Sequence, residues 1–278
     1  MANLLCRAEW LLQSLVKDQR VCPHCGSRNV RVVARKALFI RIKRCGDCLL
    51  LFTGPIYRPW FTRSIYGTIY DGAWATRWPD PQELERAKES RFVGSPVDFG
   101  YMLKPIAALC AGGSMRLLEI GSAWGYTLYQ AQQHGFRAVG IEINPLAARF
   151  GTENLGVRIV NEFSDLPEEP FDVAVAWHSL EHFVDLSAVF KELRDHLRPQ
   201  GHLVIGTPNI DPDRLGKGCL VGMGAVHPLG FNLDFHKLNL PRYGFSIKGI
   251  YDDADDFPGK PCAGLPGPAG IIVWAQKN

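Results

Sequence analysis

The chain has 278 residues, enough for one large domain and a small one, and its 46% hydrophobic content is ordinary for a globular protein. A net charge of +3 is too small to demand a nucleic-acid or membrane partner. No apolar run nears the roughly 20 residues that span a bilayer, and Arg7 and Glu9 leave no signal-peptide layout, so a cytoplasmic location is expected.

Residues 1–20 read as an amphipathic helix that packs against a neighbour or a second subunit, and the expectation of a homodimer rests on it. Of eight cysteines, four stand in two C-x-x-C pairs, Cys22–Cys25 and Cys45–Cys48, separated by 19 residues. Each pair curls so that two thiolates face one ion. Two such knuckles make a closed tetrahedral sulfur site, which predicts structural zinc in a reducing compartment. The alternating segment 29–44 predicts two short strands between the knuckles, a zinc ribbon, with Gly26 and Gly46 at the turns. His24 is expected to be a solvated turn residue. Cys6, Cys110, Cys219 and Cys262 read as isolated buried or loop thiols. Seven basic residues (Arg28, Arg31, Arg35, Lys36, Arg41, Lys43 and Arg44) line the module. They form either a solvated strand face or an RNA-binding surface.

Residues 52–80 mix eight aromatic side chains with Gly and Pro, too aromatic for a flexible tether. A lid and plain inter-domain packing both fit. Helices are expected at Pro81–Arg91 and Val97–Ala111. Residues 115–120 then read as a buried strand ending in Glu119-Ile120, followed by a tight turn, Gly121-Ser122-Ala123-Trp124-Gly125, and a helix from Tyr126. Glycine permits positive φ and close ligand approach, and the following helix offers unpaired N–H groups. The pattern is E-x-G-x-x-x-G, not the three-glycine dinucleotide fingerprint. A carboxylate before the turn would repel a pyrophosphate and suits a cationic, hydroxyl-bearing ligand. Twenty-three residues on, Val139–Ile143 predicts a second strand ending at Glu142, placed to hydrogen-bond ribose hydroxyls.

Strand and helix alternate onward: 115–120, 126–134, 137–143, 145–152, 157–161, 171–177, 186–197 and 202–207. This predicts an α/β fold with a parallel sheet and helices on both faces. A Gly- and Pro-rich stretch at 209–235 interrupts the rhythm and is long enough to carry function. Tyr243–Ile250 and Gly270–Trp274 should close the sheet, and Asp252–Asp256 reads as a solvated acidic loop. The expected divisions are 1–51 (first helix and ribbon), 52–96 (aromatic linker or lid) and 97–278 (ligand-binding domain).

Residues 97–278 resemble the class I S-adenosylmethionine-dependent methyltransferases. Glu119, Gly121 and Gly125 match the family's first motif, and Glu142 matches its ribose-holding acid. Glu162-Phe163 match the segment that frames the adenine, Phe171–Trp177 the fourth strand, and Leu193–Asn209 the helix, turn and fifth strand. The resemblance implies a Rossmann-like parallel sheet with an antiparallel last strand. It also implies S-adenosylmethionine as cofactor, with Ser122, Trp124, Ile143 and Trp177 completing the pocket; Trp124 would cover the methionine end. The N-terminus resembles the cysteine-rich module that some methyltransferases of sugars and natural-product intermediates carry.

His178-Ser-Leu-Glu181-His182 also fits the inverted zinc-protease pattern H-x-x-E-H. That motif belongs inside a helix, whereas this segment follows a strand, where the family commonly has x-x-L-E-H facing the transferring methyl. Some relatives place a divalent metal there through the Glu and His. Histidine suits removal of an acceptor's proton. His182 is the first candidate general base, His178 the second, and Glu181 orients either imidazole. His227 and His236, flanking the 209–235 stretch, are weaker candidates. A small-molecule acceptor (a sugar, glycan precursor or secondary metabolite, methylated at oxygen or carbon) is expected. No Asn/Asp-Pro-Pro-Tyr/Phe motif of base methylation follows the fourth strand. The alternatives are an RNA methyltransferase guided by the basic ribbon and a non-catalytic scaffold; the intact Glu119/Gly121/Gly125/Glu142 set speaks against the scaffold.

Overall fold

The computed structural model describes residues 20–36, 40–54, 77–109, 115–224, 227–251 and 270–278. The expected first helix, the aromatic residues at 55–76, the acidic loop and Cys6, Cys110 and Cys262 lie outside them.

The ribbon contributes β1 (Val30–Lys36), β2 (Ile40–Cys45) and β3 (Leu51–Gly54). Two helices follow, α1 (Pro81–Glu89) and α2 (Gly100–Leu109). Asp80 starts α1 with a capping box: its carboxylate accepts from the Gln82 and Glu83 N–H groups, and the Glu83 side chain reaches back to the Asp80 N–H. Next come β4 (Arg116–Ile120), α3 (Tyr126–Gln133), β5 (Arg137–Ile141), α4 (Pro145–Leu155), β6 (Arg158–Val160), β7 (Phe171–Trp177), α5 (Leu186–His196) and β8 (Leu197–Pro208). The chain ends with β9 (Leu229–Gly230), α6 (Leu233–Asn239), β10 (Phe245–Tyr251) and β11 (Gly270–Lys277).

Seven strands form one sheet in the order β10-β11-β8-β7-β4-β5-β6. The pairs from β6 through β8 are parallel, and β11 runs antiparallel to both of its neighbours. The expected α/β sheet with an antiparallel last strand is therefore present. Both faces of the central strands are covered, which is why they read as continuous apolar runs. Leu118, Ile120, Ala174, Ala176, Leu203 and Ile205 face one core; Leu117, Val173, Val175 and Val204 face the other.

The turn expected between α5 and the next strand survives in altered form. Pairing between β7 and β8 jumps from Phe171–Leu197 to Val173–His202, so residues 198–201 loop out within β8, with Gln200 at φ +60°.

The ribbon strands form a second sheet of order β1-β2-β3-β9, whose last strand belongs to the 209–235 stretch. β3 crosses the expected division at residue 51. Cys22, Cys45, Cys48, Leu50 and Phe52 lie in the same buried cluster as the α5 face of the large sheet. His24 corrects the sequence reading. It is not a solvated turn residue but is buried, its ring 5.4 Å from Phe235 and 5.7 Å from Tyr243, and its carbonyl accepts from Ser187 at 3.0 Å. Isolated turns look solvated in sequence; docking onto α5 and α6 buries this one.

Candidate cofactor and acceptor site

In an open α/β sheet a ligand crevice opens where neighbouring connections leave the sheet in opposite directions. Here that point is the carboxyl end of β4, between β5 and β7. The turn after β4 is pinned by Gly121 and Ser122, whose N–H groups donate to the Ile141 carbonyl at 2.9 and 3.0 Å. Gly121 (φ +75°) and Gly125 (φ +81°) both sit in the left-handed region. A Cβ on Gly121 would lie 2.8 Å from Ser179 Cβ, and one on Gly125 would lie 2.6 Å from Val157 Cγ2. The missing side chain of Gly121 thus lets the segment after β7 close against the turn.

Glu142, at the end of β5, accepts from Ala123 N–H at 2.9 Å with one carboxylate oxygen and from Asn144 N–H at 2.8 Å with the other. A carboxylate has about four acceptor sites, so the group keeps capacity for a ligand hydroxyl. Burial raises the Glu142 carboxyl above its ordinary value, against the backbone hydrogen bonds from Asn144, Ala123 and Ile143. Glu119 is buried more severely. Desolvation pushes its carboxyl up to about 8, opposed by the Thr127 hydroxyl and reinforced by the charge of Glu142.

Among the described residues, Glu119 Oε2, Ser122 Oγ, Trp124 Nε1, Ser179 Oγ and Glu181 Oε2 are buried without a protein hydrogen-bond partner. Buried polar atoms are rarely left so, and these belong to the two segments that meet at the crevice. This donor and acceptor set fits a hydroxyl-rich, cationic cofactor. Trp124 differs from expectation. Its indole packs against Phe92, Tyr126 and Phe150, with Tyr126 5.0 Å away, so it is a buried wall of the turn rather than a free cover. Ile143 is exposed beside the crevice, and Glu162 is exposed. Phe163 is half-buried with its ring 5.9 Å from His196. The Trp177 ring occupies the space beside Gly206, where a Cβ would come within 2.2 Å of it, and it meets Phe99 edge-on at 5.3 Å.

After β7 the chain turns sharply. His178 takes φ +47°, a costly conformation for a non-glycine residue and one that clusters at functional sites. Its N–H donates to the Gly206 carbonyl at 2.8 Å, and its Nδ1 lies 3.4 Å from Glu181 Oε1. Burial opposes ionisation of Glu181, but the His178 hydrogen bond and the nearby His182 hold its carboxyl below the ordinary value. His182 faces His227 with ring centroids 4.7 Å apart. Ligand atoms of Glu181, His182 and His227 all lie within 4.8 Å of one another, a separation a divalent cation can bridge. His227 was a minor sequence candidate, and the fold brings it into the site. His236 goes the other way. It is fully buried against Phe231 and Phe235, with its imidazole pushed down to about 3 by burial.

The four ribbon sulfurs converge. Cys22 and Cys48 Sγ are 3.4 Å apart, Cys25 and Cys45 Sγ 3.5 Å, and all four lie within 4.8 Å. Zn–S bonds of about 2.3 Å in a tetrahedron put sulfurs about 3.8 Å apart, so the set is compatible with zinc. The hydrogen bond between Cys22 and Cys48 draws the Cys22 thiol down and pushes the Cys48 thiol up, so Cys22 is the readier thiolate of the pair.

A family profile described as "Methyltransferase domain" matches residues 98–230. These residues hold the glycine turn, Glu142, the His178–His182 segment and His227. Residues 98–230 form a class I S-adenosylmethionine-dependent methyltransferase domain. The chain is 27% identical over 154 residues to a ubiquinone biosynthesis O-methyltransferase of Alkalilimnicola ehrlichii, covering 51% of this chain and 59% of that protein. It is 29% identical over 175 residues to the enzyme of the same name from Paramagnetospirillum magneticum, covering 57% and 68%. A solved S-adenosylmethionine-dependent methyltransferase from Archaeoglobus fulgidus superposes with a TM-score of 0.49 at 21% identity, over 69% of this chain and 99% of that one. The four cysteines lie outside the methyltransferase match, so the ribbon is an addition to the shared domain. Among the described residues, no helix is long and apolar enough to cross a membrane.

Proposed function

We propose that this protein transfers the methyl group of S-adenosylmethionine to a small-molecule acceptor, with His182 taking the acceptor's proton. The observation that carries the reading is the close approach of Ser179 to Gly121, which sets the His178–Glu181–His182 cluster beside the cofactor turn. Bound S-adenosylmethionine supplies a methyl carbon already activated on a sulfonium. The protein's task is alignment and proton removal. Glu142 would take the ribose hydroxyls on its spare lone pairs, and Glu119 would face the cationic end. Ser122, Ile143 and Trp177 would line the pocket, with Glu162 and Phe163 toward the adenine. Glu181 and His178 would orient His182. Cys22, Cys25, Cys45 and Cys48 would hold structural zinc.

Both relatives are named for O-methylation in ubiquinone biosynthesis, which favours oxygen as the methylated atom; a sugar, glycan precursor or secondary metabolite remains the acceptor class. The ribbon's basic residues favour a small acceptor over RNA, because several are engaged within the protein. Lys36 Nζ donates to the Val221 and Met223 carbonyls, Arg44 pairs with Asp213, and Lys43 is buried.

Calorimetry on zinc-replete protein should give micromolar binding of S-adenosylmethionine and S-adenosylhomocysteine, unchanged by added RNA. Salt-sensitive RNA binding would move the RNA reading to the front. Glu142→Ala should weaken the cofactor by tenfold or more; it also strips the Ala123 and Asn144 N–H groups of their acceptor, costing about 1–3 kcal/mol of stability. Undiminished cofactor affinity would reject the ribose assignment. His182→Ala should cut turnover by roughly 10²–10⁴-fold with cofactor affinity within about twofold. Turnover equal to the parent's would remove His182 from the reaction.

A further inference from the structure

The 209–235 stretch reaches the crevice from one side and joins the ribbon sheet on the other. His227 sits where the two meet. Its Nδ1 lies 3.2 Å from the Gly222 carbonyl. A carbonyl only accepts, so Nδ1 carries the hydrogen and the lone pair of the neutral ring falls on Nε2. A hydrogen bond at one imidazole nitrogen is the standard way of fixing what the other can do.

The acceptor carbonyl is itself held in place by the ribbon. Lys36 Nζ, at the end of β1, donates to the carbonyls on either side of Gly222: Val221 at 2.5 Å and Met223 at 2.9 Å. His227 is anchored beyond its ring as well. Its carbonyl accepts from Gly224 N–H at 3.0 Å, and the Pro228 carbonyl accepts from Thr53 N–H at 2.8 Å, next to the β3–β9 pairing of Phe52 with Leu229. One ribbon lysine and one ribbon strand therefore bracket a residue whose ring faces His182 at 4.7 Å and lies beside Glu181.

We propose that His227 is a positioning residue for His182, and that the four-cysteine ribbon sets its tautomer and place through Lys36 and β3. This rests on the methyltransferase reading given above. In that reading the neutral Nε2 lone pair of His227, with the Glu181 carboxylate, holds the His182 ring in the orientation that receives the acceptor's proton. The ribbon is then part of the acceptor side of the active site.

The test compares Lys36→Met and Lys36→Arg in the full-length, zinc-loaded protein. Lys36 is a half-buried strand-end residue outside the cofactor turn, so both variants are expected to fold. Nitrogen-15 imidazole spectra of the parent should show one neutral His227 tautomer with the hydrogen on Nδ1. Lys36→Met should give a mixture of tautomers and lower kcat by about tenfold or more, with cofactor affinity within about twofold; Lys36→Arg should restore both. An unchanged His227 spectrum in Lys36→Met would overturn the proposal, and so would a kcat loss without a tautomer change. If no acceptor is methylated by the parent protein, the methyltransferase reading fails, yet the tautomer comparison still decides whether the ribbon controls His227.

Discussion

Glu119→Gln should raise the melting temperature of the cofactor-free protein at alkaline pH while weakening S-adenosylmethionine by tenfold or more. The Glu119 carboxyl is pushed up to about 8 by burial, well above its ordinary 4.5. A folded-state value above the unfolded one means that the folded state binds the proton more tightly. The stabilisation is fully present below about pH 4.5 and fades as pH rises through about 8. Above that the folded chain must hold a buried carboxylate within the influence of Glu142. Glutamine is neutral throughout, so the gain of the variant should grow from pH 5 to pH 9 and reach on the order of 3 kcal/mol. For a chain of this size that is on the order of 10 °C. A cationic ligand should also draw the parent carboxyl down, so calorimetry near pH 7 in buffers of different ionisation enthalpy should detect proton release that the variant lacks. A thermal gain independent of pH would reject the burial argument. Full cofactor affinity in the variant would place Glu119 outside the ligand site.

Stripping zinc from the ribbon should destabilise the whole described fold, not the ribbon alone. Cys22, Cys45 and Cys48 are at most 2% exposed and share a buried cluster with Leu118, Ile120, Phe171, Phe190 and Phe235. His24 plugs the same seam. Metal binding that requires the folded site contributes directly to folding stability, through linkage. Scanning calorimetry should show a single transition in the zinc-loaded protein. Chelation, or Cys45→Ser, should lower it by on the order of 10 °C or more, the equivalent of several kcal/mol. A small early transition, with the main one unmoved, would mean that the ribbon folds and melts as a separate unit. Metal analysis finding less than one zinc per chain in freshly purified protein would count against the tetrahedral assignment.

The two C-x-x-C pairs, the glycine turn and the acid 23 residues beyond it are legible in the sequence alone. Each is a local device: a knuckle needs two thiols two residues apart, a tight turn needs positive φ, and a parallel strand buried on both faces needs an unbroken apolar run. The strand–helix rhythm from Met115 to Thr207 gave the sheet for the same reason. What the sequence determined by itself was therefore the fold class, the glycine turn at the end of β4 and the sulfur cluster, because short-range spacing imposes them. The remainder depends on contacts between residues far apart in the chain. Nothing in Lys36 announces that it will hold the loop carrying His227, nor in Gly121 that its missing side chain makes room for Ser179. His24 and His236 look polar and available in sequence, and tertiary packing buries both. His227 lies beside His182 next to β9, which adds to a sheet whose other three strands come from the opposite end of the sequence. Packing and strand pairing across nearly two hundred residues decided which histidines are buried and which lie together beside the turn, since burial and hydrogen bonding are properties of the assembled fold and leave no periodic mark on the chain.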